Sequence, residues 1–302
     1  MKNGKTVIIV IIALLALVSC GKNTVLNPDA NDPTAINFGT SNTLDVITWN
    51  LRNFPEGTDL TTLKEMISAL NAEVIAFQEI MDYNAFMDLA EDIPYYAACV
   101  YSATDTYRLA YLYDTRSVTL NNQYTIFEND SNPFPRPPYI LDITWNNSNY
   151  FIINNHFKAY GDNYIDESDS WDEEMRRRLA CQKLDNYIST SLSDKKVIVL
   201  GDMNDQIAEP EDYNVFLSFL NKPEEYYFAD MPIALSPTYS NVSYPSSLSH
   251  IDHILITNEL FADFENAGSY CKTILAENWM LSWNTYSSTI SDHRPVGIRI
   301  SK

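Results

Sequence analysis

Apolar positions along this chain recur with two periods. Compact apolar runs bounded by polar residues predict buried strands at Asp45 to Asn50, Val74 to Gln78, Tyr95 to Tyr101, Arg108 to Tyr113, Tyr139 to Trp145 and Tyr150 to Asn155. Three more fall at Val197 to Leu200, Ile251 to Thr257 and Val296 to Ile300. Elsewhere the period lengthens. Leu60, Leu63, Ile67 and Leu70 follow at helical spacing, as do Met175, Leu179, Leu184 and Ile188 within a long helix from Asp172 to Leu192. A short helix is expected near Asp212 to Leu220, and a polar loop from Ala159 to about Trp171. Strands alternating with helices, then further strands, predict a mixed α/β domain whose sheets are covered by helices. Periodicity leaves open whether there is one sheet or two packed face to face.

One further apolar run, Val7 to Val18, lies outside this pattern. It is too short for a membrane span and fits a signal-peptide core, with Lys2 and Lys5 before it and Leu17-Val18-Ser19-Cys20 at its end. That ending resembles a bacterial lipobox, which makes Cys20 the lipidated first residue after cleavage; the alternative is a signal peptide cut at another small residue. Acyl chains on Cys20 would anchor the protein to a membrane of the bacterial cell envelope, the outer membrane, on its periplasmic or surface side. Residues 1–19 are then the signal peptide and 20–42, rich in Asn, Thr, Pro and Asp, a flexible tether. Residues 43–302 make one large domain.

Hydrophobic residues are 45% of the chain, with 20 Tyr and 13 Phe, enough for a sizeable core and incompatible with a disordered chain. Acidic residues outnumber basic ones by 40 to 20, and losing Lys2 and Lys5 would take the formal charge from −20 to −22. Such a field repels polyanions, so a phosphate substrate would depend on local cations, bound metal above all. The plainer reading is that the charge keeps an exported protein soluble. With Cys20 lipidated, Cys99, Cys181 and Cys271 remain, without metal-ligand spacing and able to form at most one disulfide.

Chemistry gathers where strands end. The run Val197-Ile198-Val199-Leu200 stops at Gly201 and delivers Asp202 and then Asn204, two residues apart and so on the same side of an extended chain. Taken alone this is an ordinary Asp/Asn turn. Other strands end alike, in Trp49-Asn50, Phe77-Gln78-Glu79, Asn155-His156-Phe157-Lys158, Ser249-His250-Ile251-Asp252-His253 and Ser291-Asp292-His293-Arg294-Pro295. Acids, amides and histidines at successive strand ends describe a site built along one sheet edge.

These motifs, in this order and spanning residues 45 to 300, resemble the endonuclease/exonuclease/phosphatase superfamily, the DNase I-like fold. The resemblance implies a four-layer α/β (α+β) sandwich, two packed mixed β-sheets flanked by helices. It also implies phosphoester hydrolysis with a divalent cation, Mg²⁺ foremost and Mn²⁺ or Ca²⁺ as alternatives. On the matched positions Glu79 is the main metal ligand, with Asn50 and Asp292 nearby. His293 is the base that activates water and Asp252 its orienting partner. His156 serves a phosphate oxygen or the leaving group, Asn204 contacts the phosphate, and Asp202 lies between water and metal with its role open. Arg136, in Arg136-Pro137-Pro138-Tyr139, falls where DNase-like members carry a phosphate-binding arginine, and Arg108 is a second candidate. Tyr107 stands where the acidic partner of the first histidine is expected. His250 and His253 read as structural, since no third residue is spaced to complete a zinc site.

The leading expectation is therefore a monomeric, metal-dependent phosphodiesterase, an extracytoplasmic nuclease acting on DNA or RNA. A phospholipid or sphingomyelin phosphodiesterase, or a small-molecule phosphatase, would use the same chemistry, and the membrane tether favours lipid access. A non-catalytic surface-binding lipoprotein is the remaining alternative, although no expected histidine or metal carboxylate is missing. The loop Ala159 to Trp171 directly follows His156 and is expected to help choose the substrate.

Overall fold

The computed structural model describes residues 31–101 and 107–302; residues 1–30, with the signal-peptide run and Cys20, lie outside them. Strands are numbered along the chain: β1 (Thr43–Phe54), β2 (Val74–Ile80), β3 (Tyr96–Val100), β4 (Arg108–Asp114), β5 (Val118–Thr125) and β6 (Tyr139–Trp145). They continue as β7 (Ser148–His156), β8 (Lys196–Asp202), β9 (Tyr226–Phe228), β10 (Asp252–Thr257), β11 (Tyr270–Thr273) and β12 (Val296–Ser301). They form two 6-stranded sheets, ordered β11-β12-β1-β2-β4-β3 and β5-β6-β7-β8-β10-β9. Both sheets are mixed: β1 and β2 run parallel, as do β7 and β8, and the other pairs are antiparallel.

Alternation within each strand explains the layers. In β1, Leu44 and Val46 enter a core shared with Ile198 and Leu200 of β8, while Ile47, Trp49 and Leu51 point the other way. On that outer face they meet Leu63, Met66 and Leu70 of α1 (Leu60–Leu70) and Phe86 and Leu89 of α2 (Tyr83–Glu91). Val197 and Val199 likewise face Ala180, Leu184 and Ile188 of α3 (Glu173–Ser191). A strand covered on both faces has no polar position to spare, which is why these runs read as continuously apolar. Helix, sheet, sheet and helix thus stack as four layers around three apolar clusters. Among the described residues no helix is long and apolar enough to cross a membrane.

The inner face is written in even-numbered residues on every strand that reaches the site. Leu44 and Val46 lead to Thr48 and Asn50, and Val74 and Ala76 to Gln78. Tyr150 and Ile152 lead to Asn154 and His156, Ile198 and Leu200 to Asp202, and Ile256 and Ile254 to Asp252. The period of two carries the apolar series without interruption into polar residues at one end of the sandwich. Just behind that end the sheets are joined by hydrogen bonds. Gln78 Nε2 donates to Asn154 Oδ1 (2.7 Å) and Thr48 Oγ1 (3.0 Å), and Asn154 Nδ2 donates to the carbonyls of Phe77 (3.0 Å) and Ala110 (3.2 Å). Buried amides left unpaired would cost about 1–3 kcal/mol each, so this bridge holds the sheets in one alignment.

Several elements differ from the pattern read in the sequence. The helix expected near Asp212 to Leu220 shortens to Leu217–Leu220. Asn214 explains this: its Nδ2 donates to the carbonyls of Ile207 and Glu209 and its Oδ1 accepts the Phe216 N–H, so the preceding residues keep a side-chain-stabilised loop. Ile36 and Phe38, within the stretch assigned to the tether, are buried, so packed structure begins before Thr43. Cys99 and Cys181 are buried as free thiols, and Cys271 is free and half-buried.

Candidate active site

β7 and β8 bring the first two site residues together through their register. Parallel pairing sets Asn155 beside Gly201 and His156 beside Asp202, and antiparallel pairing sets Asp252 beside Asp202. His156, Asp202 and Asp252 therefore lie in one row across three strands, pointing to one side. Gly201 makes this row possible: at φ +139° it occupies backbone space closed to other residues, and a Cβ there would sit 2.0 Å from the Asn155 carbonyl oxygen.

β1 and β2 contribute by breaking their own ladder. The parallel register shifts between Asn50 and Phe54, and Glu79, at φ 63°, sits at a second irregularity against β4. A left-handed residue in a strand costs of order 1–3 kcal/mol and re-aims its side chain. Glu79 consequently reaches over the strand end, where Oε2 accepts the Asn53 N–H (2.9 Å) and Oε1 accepts from Asn50 Nδ2 (3.2 Å). Asn50 Nδ2 also donates to Asp202 Oδ2 (2.9 Å), while its Oδ1 accepts the Arg52 N–H (2.8 Å). Asn50 is thus brought among the acids, with its amide nitrogen rather than its oxygen turned to them.

His293 is held from behind on several sides. Its Nδ1 lies 2.8 Å from Asp252 Oδ2, its N–H donates to Ser291 Oγ, and its carbonyl accepts from Tyr286, whose hydroxyl accepts from the Trp49 indole. Ser291 Oγ in turn donates to the Asn50 carbonyl (2.6 Å), tying this turn to the end of β1. Nε2 faces inward, 3.9 Å from Asp202 Oδ2, with the Tyr244 ring 4.8 Å from the imidazole.

Burial and charge set the proton positions. Burial, then Asp252 and Glu79, push the Asp202 carboxyl up to about 7 against the pull of His293 and Asn50. Burial alone would lower His293, but Asp252, Asp202 and Asp292 outweigh it and hold the ring at about 10. Burial, with Arg136 and His293 nearby, keeps His156 well below its ordinary value and therefore neutral at pH 7. His156 Nε2 lies 3.6 Å from Asp202 Oδ2 and 3.8 Å from Glu79 Oε1, and its Nδ1 is buried without a partner. The acid expected behind this histidine is indeed not supplied at Tyr107, whose ring instead lies under the Arg136 guanidinium at 5.2 Å.

A cleft of about 860 Å³ opens over these groups. Its walls carry Arg52, Arg136, Lys158 and Arg176, a local concentration of cations in a chain of formal charge −20. Arg136 Nη1 donates to the Phe157 carbonyl (3.2 Å), which steadies the fork at the cleft. Asn204 Nδ2 donates to the same carbonyl (3.3 Å), and its N–H donates to Asp202 Oδ1 (3.1 Å). Arg108, expected as a second phosphate ligand, does not line this cleft, and its Nη1 donates to the Met81 carbonyl (2.6 Å), a strand-end contact. Arg52, Arg176 and Tyr244 are cleft residues that sequence motifs did not mark; only their nearness to Asn50, α3 and Asp252 hinted at them.

The donor set suits a hard divalent cation. Ligand atoms of Glu79, His156 and Asp202 lie within 4.8 Å of one another, and Asp292 Oδ1 at the cleft is buried with no hydrogen-bond partner. Carboxylate oxygens gathered at the floor of an open cleft suit an ion that keeps waters and accepts substrate oxygens.

His250 and His253 lie on the far side of β10 and form a separate, saturated network. Asp230 is the third member that spacing did not disclose: its Oδ2 lies 3.0 Å from His250 Nε2 and 2.6 Å from His253 Nδ1. His250 Nδ1 accepts the Ser243 N–H, so its proton is on Nε2, while His253 Nε2 meets the Asp205 carbonyl at 2.8 Å. Both His253 nitrogens therefore face acceptors. Burial lowers that ring's proton affinity, but Asp230 raises it further, so an imidazolium–carboxylate pair braces the loop after β8. The lone pairs that zinc would need are occupied by protons.

Comparison with known proteins agrees with this fold. The profile described as "Endonuclease/Exonuclease/phosphatase family" matches residues 47–293. Among solved structures, TDP2 of D. rerio in complex with a single-strand DNA product superposes with a TM-score of 0.62 at 14% identity, covering 86% of this chain and 99% of that one. An endonuclease/exonuclease/phosphatase from Bacteroides vulgatus gives 0.59 at 13% identity (86% and 98% covered). The human Nocturnin catalytic domain with bound sulfate gives 0.58 at 14% identity (86% and 94%). At such identities these structures speak for the fold alone. No curated protein matches the chain.

Proposed function

The chain belongs to the endonuclease/exonuclease/phosphatase family, whose members are phosphoester hydrolases, and on that premise we propose that it is a divalent-metal-dependent phosphodiesterase acting as a nuclease outside the cytoplasm. The observation that carries the reading is the row His156–Asp202–Asp252, with His293 seated on its last member and cations massed over it. Glu79, Asp202 and Asp292 would hold the cation, Mg²⁺ by preference for oxygen ligands and water. When bound it supplies Lewis-acid stabilisation of the phosphoryl oxygens and, by offsetting the surrounding carboxylates, weakens the hold of His293 on its proton.

The chain's own residues do the rest. Asp252 fixes the His293 tautomer, so that Nε2 faces the attacking water and removes its proton. Water oxygen bonds to phosphorus as the ester oxygen leaves. Neutral His156 donates to a phosphate or leaving oxygen, and the second amide hydrogen of Asn204 donates to another. Arg136 offers a planar, permanently charged fork to a phosphodiester, and Lys158 and Arg176 on the same cleft would meet the flanking phosphates of a polynucleotide. Asn50 enters as the hydrogen-bond bridge that spaces Glu79 from Asp202.

Lipid attachment at Cys20, and with it a place on the envelope membrane, belongs to the same proposal. Metabolic labelling with palmitate checks it, Cys20→Ser being expected to lose the label. Hydrolysis of DNA, RNA and bis-p-nitrophenyl phosphate under Mg²⁺ tests the activity. His293→Ala should lower all three by several orders of magnitude, and unchanged turnover refutes the mechanism. A phospholipid phosphodiesterase is the second reading, favoured by exposed Tyr160, Tyr164 and Trp171 on the loop beside the cleft, which could rest in a headgroup layer as readily as stack on bases. Sphingomyelin and inositol phosphates in the same panel separate the two.

A further inference from the structure

Asp162, Asp172 and Glu174 lie outside the catalytic row, on the loop after His156 and the start of α3, and their ligand atoms come within 4.8 Å of one another. Glu174 is the unusual member. It is 1% exposed, and although Oε1 accepts the Asn163 N–H (2.7 Å) and meets Arg177 Nη2 (3.1 Å), Oε2 is buried with no partner. A buried carboxylate oxygen without a donor is costly, because charge removed from water needs compensation. Arg177 is shared between two carboxylates, its Nε being engaged by Asp205 Oδ2 at 2.7 Å.

Glu174 is aimed at the loop. A Cβ on Gly161 would lie 2.1 Å from Oε1 and 2.5 Å from Oε2, so both oxygens abut the turn that carries Asp162. Gly161 is at φ +123°, and the chain curls round the carboxylate. Asp162 Oδ1 is engaged by the Tyr164 N–H (3.0 Å) and Asp172 Oδ1 by the Met175 N–H (2.7 Å), and one carboxylate oxygen from each of the three residues lies within 4.8 Å of the others.

We propose that Asp162, Asp172 and Glu174 bind a Ca²⁺ ion, distinct from the catalytic metal, that fastens the cleft-lining loop to α3. Oxygen-only ligands on an irregular loop suit Ca²⁺, which accepts 6–8 oxygens in loose geometry; Mg²⁺ demands an octahedron and zinc prefers nitrogen or sulfur. Lys158 and Tyr160 line the cleft on this loop, and Arg177 Nη1 donates to both their carbonyls (2.9 and 2.7 Å). An ion beside Glu174 would thus set one wall of the substrate cleft.

The test is Ca²⁺ binding to the whole protein carrying Glu79→Gln, which disables the catalytic metal position. Isothermal titration is paired with Tb³⁺ luminescence sensitised by Trp171, which precedes Asp172. Saturable binding of one Ca²⁺ is expected, with Tb³⁺ emission that Ca²⁺ competes away, and proteolysis within residues 159–172 should slow on binding. Adding Asp162→Asn should weaken affinity at least about tenfold through loss of one ligand charge. Asp162 is exposed, so this variant stays informative if Glu174→Gln fails to fold. No uptake by the Glu79→Gln protein, or uptake unaltered by Asp162→Asn, overturns the proposal.

Discussion

Replacing Asp252 with Asn removes a negative charge 2.8 Å from His293 Nδ1 while keeping the side chain's shape. The pair is sealed from water, Asp252 being fully buried and the His293 side chain 8% exposed, so the lost charge is poorly replaced by solvent. Raising the ring from 6.5 to about 10 corresponds to roughly 5 kcal/mol of preference for its protonated form. Burial works against that preference, and Asp252 is the largest contributor in its favour, ahead of Asp202 and Asp292. Losing an opposite charge at this range commonly moves a ring by 1–3 pH units, so His293 in the variant should titrate at about 7–9. Because the folded value lies above the unfolded one, this ring stabilises the metal-free fold fully below pH 6.5, and that contribution disappears as pH rises towards 10. The variant should show a flatter decline across the same window. Hydrolysis under Mg²⁺ should fall by about 10²–10⁴, since the amide can also present its N–H and select the wrong tautomer. Imidazole NMR titration of metal-free protein, denaturation at several pH values and turnover of bis-p-nitrophenyl phosphate check the three parts. A ring still titrating near 10, or turnover within about threefold of the parent, would refute the orienting role.

Glu73 offers a pH test remote from the site: burial, with Asp45 and Asp114 close by, pushes its carboxyl up to about 8. Stability should therefore decline as pH rises from 4.5 to 8, and Glu73→Gln, which keeps an acceptor for the Asp45 N–H, should remove that slope in urea titrations. Gly201→Ala should destabilise by about 2–4 kcal/mol and lower Tm by roughly 5–15 °C, as calorimetry would show; an unchanged Tm contradicts the close approach of β7 and β8. Arg136→Ala should raise KM for diesters about tenfold or more with a smaller change in kcat, the loss expected of a charge-assisted contact to phosphate. Chelation should abolish hydrolysis and Mg²⁺ restore it, read by the same assay.

The strands β2 and β8 were legible because Val74 to Gln78 and Val197 to Leu200 are apolar on two faces, a signal that survives without neighbours, whereas their parallel pairing with β1 and β7 was not. β5 was not, since Val118–Thr125 is an edge strand whose sequence is mostly polar. The helix Tyr83–Glu91 could have been read from its Asp82 cap and from Phe86, Leu89 and Ala90 at helical spacing. Cleft-lining residues were legible where a motif sits at a strand end, as with Glu79, Asp202 and His293. Orientation was not: nothing in Trp49-Asn50 says that the amide turns its nitrogen to the acids, because the Arg52 backbone decides it. Asp230 lies 20 residues before His250, beyond any ligand spacing, and nothing in the sequence around Arg108 says that its Nη1 meets the Met81 carbonyl outside the cleft.

The row formed by His156, Asp202 and Asp252 has a consequence for how such a protein can diverge. A slip of one residue in either pairing would turn a member of the row to the opposite face, so the chemistry tolerates no insertion within β7, β8 or β10. Beyond the strand ends no such constraint applies, and loop closure grows more costly only slowly with length. Lengthening or replacing the segment after His156 would leave the reacting groups in register while redrawing the wall that meets the substrate. Divergence in what is cleaved can therefore accumulate by insertion and deletion in loops, while divergence in how it is cleaved would require the ladder itself to be rebuilt.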